Sequence, residues 1–109
     1  MTEIDEITQA LLTFRNERDW AQFHNPKDLA LAISIEASEL MELFLWKSPD
    51  QADQDRIKEE LADILSFSFL LAEKYGFDIK AIVLDKIKAN AEKYPVDKSK
   101  GSSKKYTEL

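Results

Sequence analysis

The chain has 109 residues, no cysteine, only two glycines and three prolines, and a net charge of −6. That length supports one domain with a modest core, and so few turn formers argue against an all-β sandwich. Without cysteine, neither a disulfide framework nor a thiolate metal site is available. The charge is uneven. Residues 1–94 carry 11 Lys and Arg against 19 Asp and Glu, whereas residues 95–109 carry four Lys against two acids. An acidic body is a poor match for a nucleic-acid polymer and a good one for divalent cations.

The first predicted helix runs from Glu3 to about Asp19, with Ile4, Ile7, Leu11 and Phe14 at helical spacing. Its polar, acidic start has no hydrophobic leader, so the cytoplasm is the expected compartment. An aromatic connector, Trp20 to His24, follows. Asn25 and Pro26 then open a second helix, Asn as N-cap and Pro at the first helical position, which is expected to reach Trp46. Ser48 followed three later by Gln51 is a capping-box pattern, so the third helix starts there or nearer Gln54. It extends to Tyr75, with Gly76 as its terminator. Asp78 caps a fourth helix that ends near Tyr94 because Pro95 follows. The expected organisation is a helical domain over 1–95 and a basic, flexible tail over 96–109.

Helices two and three share an unusual design. Leu29 to Trp46 is apolar but for Glu36, Glu39 and Glu42, and Leu61 to Ala72 is apolar but for Asp63, three residues after Glu60. Residues three apart are helix neighbours, with Cβ atoms about 5–6 Å apart. At about 100° per residue, Glu36 and Glu39 share their face with Leu29, Leu40 and Leu43, and Glu60 and Asp63 share theirs with Phe67 and Leu71. Buried carboxylates are costly unless a cation or hydrogen bonds compensate them. Two readings follow: a solvated acidic face, or a cation site. Oxygen ligands without thiolate suit Mg²⁺ or Mn²⁺. A di-iron bundle would need Glu-x-x-His motifs, and the only histidine, His24, lies in the connector. Three acids in the second helix also argue against a membrane span.

The pairing of Glu36-x-x-Glu39 with Glu60-x-x-Asp63 resembles the signature of MazG-like, all-α nucleotide pyrophosphohydrolases. Glu17-Arg18-Asp19-Trp20-x-Gln22-Phe23-His24-x-Pro26, Glu39-Leu40-x-Glu42-Leu43-Phe44-x-Trp46-Lys47, Glu59-Glu60-Leu61-x-Asp63 and Tyr94-Pro95-Val96 resemble the dCTP pyrophosphatase branch. So does the tail, from Lys100-Gly101-Ser102-Ser103 to Leu109. The resemblance covers the chain from about residue 14 to its end.

It implies a four-helix bundle assembled into a homodimer or homotetramer. Glu36, Glu39, Glu60 and Asp63 would hold Mg²⁺, with Mn²⁺ as a substitute, and a nucleoside triphosphate would yield a monophosphate and pyrophosphate. Glu42 or one of the four would orient water. Trp20 and Trp46 match positions that enclose the base, against the alternative of plain packing. His24 is a ligand-facing donor or a structural residue. Asn90 and Tyr94 match polar positions near the phosphates or sugar, and Lys27, Lys86 and Lys93 are phosphate contacts or solvated lysines. Phe67 stands where the branch usually has Tyr, and Leu11 where relatives carry His, so these positions bear on base choice rather than on metal chemistry. A non-catalytic helical module and a hydrolase of modified or non-cytosine nucleotides are the competing readings. The apolar third helix independently calls for subunit packing.

Overall fold

A computed structural model of the chain describes residues 1–109. It is helical throughout, with no strand: α1 spans Glu3–Glu17, α2 Pro26–Glu42, α3 Gln54–Tyr75, α4 Ile79–Lys93 and a short α5 Val96–Ser99. Single 3₁₀ turns occupy Trp20–Phe23, Pro49–Gln51 and Tyr106–Glu108. No helix is long and apolar enough to cross a membrane.

Short polar side chains start the helices, by accepting from backbone N–H groups that have no partner in the first turn. Thr2 and Asp5 form a reciprocal box, with Asp5 N–H to Thr2 Oγ1 at 3.1 Å and Thr2 N–H to Asp5 Oδ2 at 3.0 Å. Asn25 accepts from Asp28 N–H at 2.9 Å, Asp53 from Asp55 N–H at 3.0 Å and Asp78 from Ala81 N–H at 2.9 Å. Gly76 ends α3 at φ 67°, a left-handed conformation that suits a residue without Cβ.

Two expected boundaries shift. α1 stops at Glu17 because Asp19 turns left-handed, at φ 53°. α2 stops at Glu42 rather than Trp46, because the hydrogen bonds tighten to three-residue spacing. Leu43 N–H reaches Leu40 O, Phe44 reaches Met41 and Leu45 reaches Glu42. Trp46 then takes a positive φ of 61°, and Ser48 is held extended by Pro49. Helix three begins at Gln54, while Gln51 Oε1 accepts from Ser48 N–H and organises only the short turn before it.

The chain divides into two compact units, Met1–Phe77 and Asp78–Leu109. In the first, α2 packs along α3, and α1 lies against another face of α3. Glu36 meets Glu60 and Asp63, whereas His24, just ahead of α2, meets Phe67; α2 and α3 therefore run antiparallel. Ile7 shares a groove with Ala62 and Leu65, and Arg15 reaches Glu73, so α1 runs in the same direction as α3. The core is small: Leu29, Leu43, Ala52, Leu70 and Ala72 are buried. In the second unit, Tyr94 meets Tyr106 edge-on at 5.9 Å, and the Lys93 ammonium sits 5.0 Å above the Tyr106 ring. Residues of the tail thus fold back on the end of α4.

Candidate metal centre and adjoining pocket

Glu36 lies on α2 midway between two buried leucines seven residues to either side, Leu29 on the same helix and Leu43 at its C-cap. The hydrophobic seam that packs α2 on α3 therefore carries a carboxylate inward, where Glu60 and Asp63 meet it from one face of α3. One carboxylate oxygen from each of Glu36, Glu60 and Asp63 lies within 4.8 Å of the others. Oε2 of Glu36 and Oε2 of Glu60 are buried without a hydrogen-bond partner. The pKa of Glu36 is pushed up to about 7, first by burial, then by the adjoining carboxyls of Glu60 and Glu39, and then by the charges of Glu39 and Asp63. Glu39, exposed one turn along α2, thus acts on Glu36 from beside the three-residue cluster. Orphaned, mutually repelling oxygens with no thiolate or imidazole among them are a donor set that fits a hard divalent cation.

Asp63 also forms the rim of a cavity of about 360 Å³. Leu11, Phe14 and Arg15 line it from α1, Trp20 and His24 from the connector, and Ser66, Phe67 and Leu70 from α3. These residues recur at three- and four-residue spacing, so each helix offers one stripe to the cavity. The connector is braced locally. Gln22 Nε2 donates to Asp19 O at 3.0 Å, the Trp20 ring stands edge-on to Phe14 at 5.8 Å, and the Arg18 guanidinium covers Phe14 at 3.7 Å. His24 packs edge-on against Phe67 at 6.3 Å, with Nδ1 buried and unpaired.

Burial, then the nearby Arg15 and Lys74 cations, lower the pKa of His24. As the chain's only histidine, it gives a single imidazole resonance. Its NMR titration midpoint is expected below the ordinary 6.5. A midpoint at or above that value would place the ring outside the cavity.

Within the first unit, Trp46, Lys27 and Glu42 do not line this pocket. Trp46 is 93% exposed at its left-handed turn. Lys27 is exposed in the first turn of α2, and Glu42 is exposed at its end. Lys86, Asn90 and Lys93 are exposed on α4, and Tyr94 is half-buried against the tail. Conversely, Phe14, Arg15, Ser66 and Leu70 line the cavity without having been singled out. Phe14 and Leu70 read as ordinary core residues, and nothing local marks Arg15.

The sequence matches the family model described as MazG-like over residues 31–109. The chain belongs to the MazG-like family. Its curated relatives include dCTP pyrophosphatase 1 of Mus musculus, 38% identical over 97% of this chain and 67% of that protein. The Homo sapiens dCTP pyrophosphatase 1 is 37% identical over the same shares. Among solved structures, a pyrophosphatase from Archaeoglobus fulgidus superposes with a TM-score of 0.81 at 33% identity, covering 87% of this chain and 94% of that one. Within this MazG-like chain the acidic cluster and the aromatic cavity therefore meet at Asp63, on a fold shared with a solved pyrophosphatase.

Proposed function

We propose that this chain is a Mg²⁺-dependent nucleoside triphosphate pyrophosphohydrolase, converting dCTP or a related dNTP to the monophosphate and pyrophosphate. The observation that carries the reading is the junction at Asp63. Buried, unpaired carboxylate oxygens lie on one side of it, and an aromatic-lined cavity on the other. Relatives named dCTP pyrophosphatase support the same reaction.

Glu36, Glu60 and Asp63 would hold the cation, with Glu39 completing the set. Bound there, a divalent ion neutralises phosphate charge and lowers the pKa of water. The chain's own groups do the rest. Antiparallel packing holds the carboxylates in register, which supplies positioning, the main protein contribution to phosphoryl-type transfer. Glu42, exposed on α2, or one of the four acids would orient a water. Trp20 and Phe67 offer ring faces on which a base stacks, a contact worth about 1–3 kcal/mol. With Leu11 and Phe67 both apolar, base choice falls to the remaining polar groups of the cavity. A phosphate role for Lys27 and Lys86, and a sugar or phosphate role for Asn90 and Tyr94, follow from the family pattern alone.

We further read the chain as a homo-oligomer. Leu31 and Ile35 on α2, Leu61 and Leu65 on α3, and Ile82, Val83 and Ile87 on α4 are exposed apolar residues at helical spacing, as expected where copies pack. In a partner's site, exposed Trp46 would find a base to cover.

The test is pyrophosphate release from a panel of dNTPs and NTPs, with and without Mg²⁺. Release that depends on Mg²⁺ and favours a pyrimidine deoxynucleotide is expected. No release from any nucleotide, together with Glu36→Ala binding as much metal as wild type, would sink the enzyme reading in favour of a helical interaction module. Preference for a purine would replace the dCTP assignment only.

A further inference from the structure

We propose that Arg15 is the base-selecting residue: its guanidinium donates to a carbonyl oxygen of the nucleobase, so cytosine, thymine, uracil and guanine are accepted over adenine. This rests on reading the cavity as the base site of a nucleotide hydrolase.

Position comes first. Because α1 and α3 run in the same direction, Arg15 meets Glu73, ten residues beyond Asp63 and therefore roughly 15 Å along α3 from the carboxylate cluster. Phosphates drawn to the cation end lie near Asp63, and Arg15 faces the other end of the cavity, where the base would sit.

Chemistry comes second. The Arg15 side chain is only 11% exposed, and its Nη1 is buried without a hydrogen-bond partner. Its Nε donates to Asn16 Oδ1 at 3.1 Å. Glu73 Oε2 stands 3.8 Å from Nη1, near enough to attract the charge and too far for a hydrogen bond. A guanidinium donates and never accepts, so the ligand that relieves it must offer an acceptor. The rest of the wall is mostly apolar (Leu11, Phe14, Trp20, Phe67 and Leu70), and its polar members Ser66, His24 and Asp63 leave Nη1 unpaired. A buried donor on the wall of such a pocket disfavours a base that pairs with it poorly. Adenine offers only ring nitrogens, each with one in-plane lone pair, whereas the other bases each present at least one carbonyl oxygen with two.

The experiment measures binding of dCMP, dTMP, dGMP and dAMP to the full chain with Mg²⁺ by calorimetry, beside turnover of the matching triphosphates. Wild type is expected to bind the three carbonyl bases more tightly than dAMP. Arg15→Met should weaken those three by about 10–100-fold, the worth of a hydrogen bond to a charged group, and weaken dAMP less. The loss should appear in KM with kcat retained. Arg15→Lys should keep part of the preference. Glu73→Gln, which breaks the ion pair but leaves the cation, should keep all of it. The proposal is overturned if Arg15→Met preserves the ranking within about twofold. It is equally overturned if Glu73→Gln reproduces the loss, since Arg15 would then serve only the α1–α3 contact. Wild type that releases no pyrophosphate would defeat the hydrolase reading instead, while the monophosphate affinities still decide the role of Arg15.

Discussion

Glu36→Gln is expected to slow pyrophosphate release by about 10²- to 10⁴-fold, the several kcal/mol a metal site contributes, and at the same time to stabilise the metal-free protein. The two effects share one cause. Glu36 is drawn into the α2–α3 seam between Leu29 and Leu43, where Glu60, Glu39 and Asp63 oppose its ionisation. An arrangement that repels itself when empty attracts a dication when one is supplied.

The pH dependence follows in sign. The Glu36 pKa rises from 4.5 to about 7 on folding. Between those values the folded chain retains a proton that the unfolded chain has released, so the stability of the metal-free protein falls as pH rises through that window. His24 works the other way: its lowered pKa costs stability as pH falls through 6.5. In chelator, wild type should melt lower at about pH 8 than at about pH 6, and Glu36→Gln should remove most of that decline. Saturating Mg²⁺ should raise the melting temperature of wild type more than that of the variant. A variant as active as wild type, or no more stable in chelator at high pH, would contradict this account of the cluster.

Leu29→Ala carries the largest expected loss of stability. Leu29 is 1% exposed and is the one large side chain buried completely. Truncating such a leucine costs about 2–5 kcal/mol, because the lost burial is joined by the cavity left behind. Against a total stability of about 5–15 kcal/mol, that is a large share. Urea denaturation should show the midpoint falling with little change in slope. Leu31→Ala, two residues away but 53% exposed, is the informative control. In an isolated chain it should cost under about 0.5 kcal/mol. If copies pack through that face, it should instead weaken assembly, read as a concentration-dependent fall in mass by light scattering. A Leu29→Ala protein as stable as wild type would mean that the α2–α3 seam is not where the core lies.

Much of this was legible before any coordinates. Caps at Asn25 and Asp78 and the stop at Gly76 are short-range chemistry, decided by residues three or four positions apart. The acid pairs were legible too, because a carboxylate on an apolar stripe contradicts the stripe's own periodicity. The end of α2 was not. Leu43, Phe44 and Leu45 continue a helical pattern of apolar residues, yet their hydrogen bonds tighten and Trp46 turns left-handed. A propensity pattern has no means of registering where a chain must reverse to lay α3 back on α2.

What the sequence determined by itself was the kind of chemistry. It contained hard oxygen ligands in matched pairs, no cysteine, an acidic body, and helices whose apolar faces demand partners. Those are properties of residue type and local spacing, and neither requires knowing which helix meets which. Only the tertiary structure decided that Glu36, Glu60 and Asp63 converge while Glu39 acts from beside them, and that Asp63 joins the cluster to a cavity. It alone placed Arg15 at the far end of that cavity with an unpaired donor. The physical reason is the direction and register of packing: α1 runs along α3 and α2 against it. That relation is set by long-range burial, which periodicity along one helix does not encode.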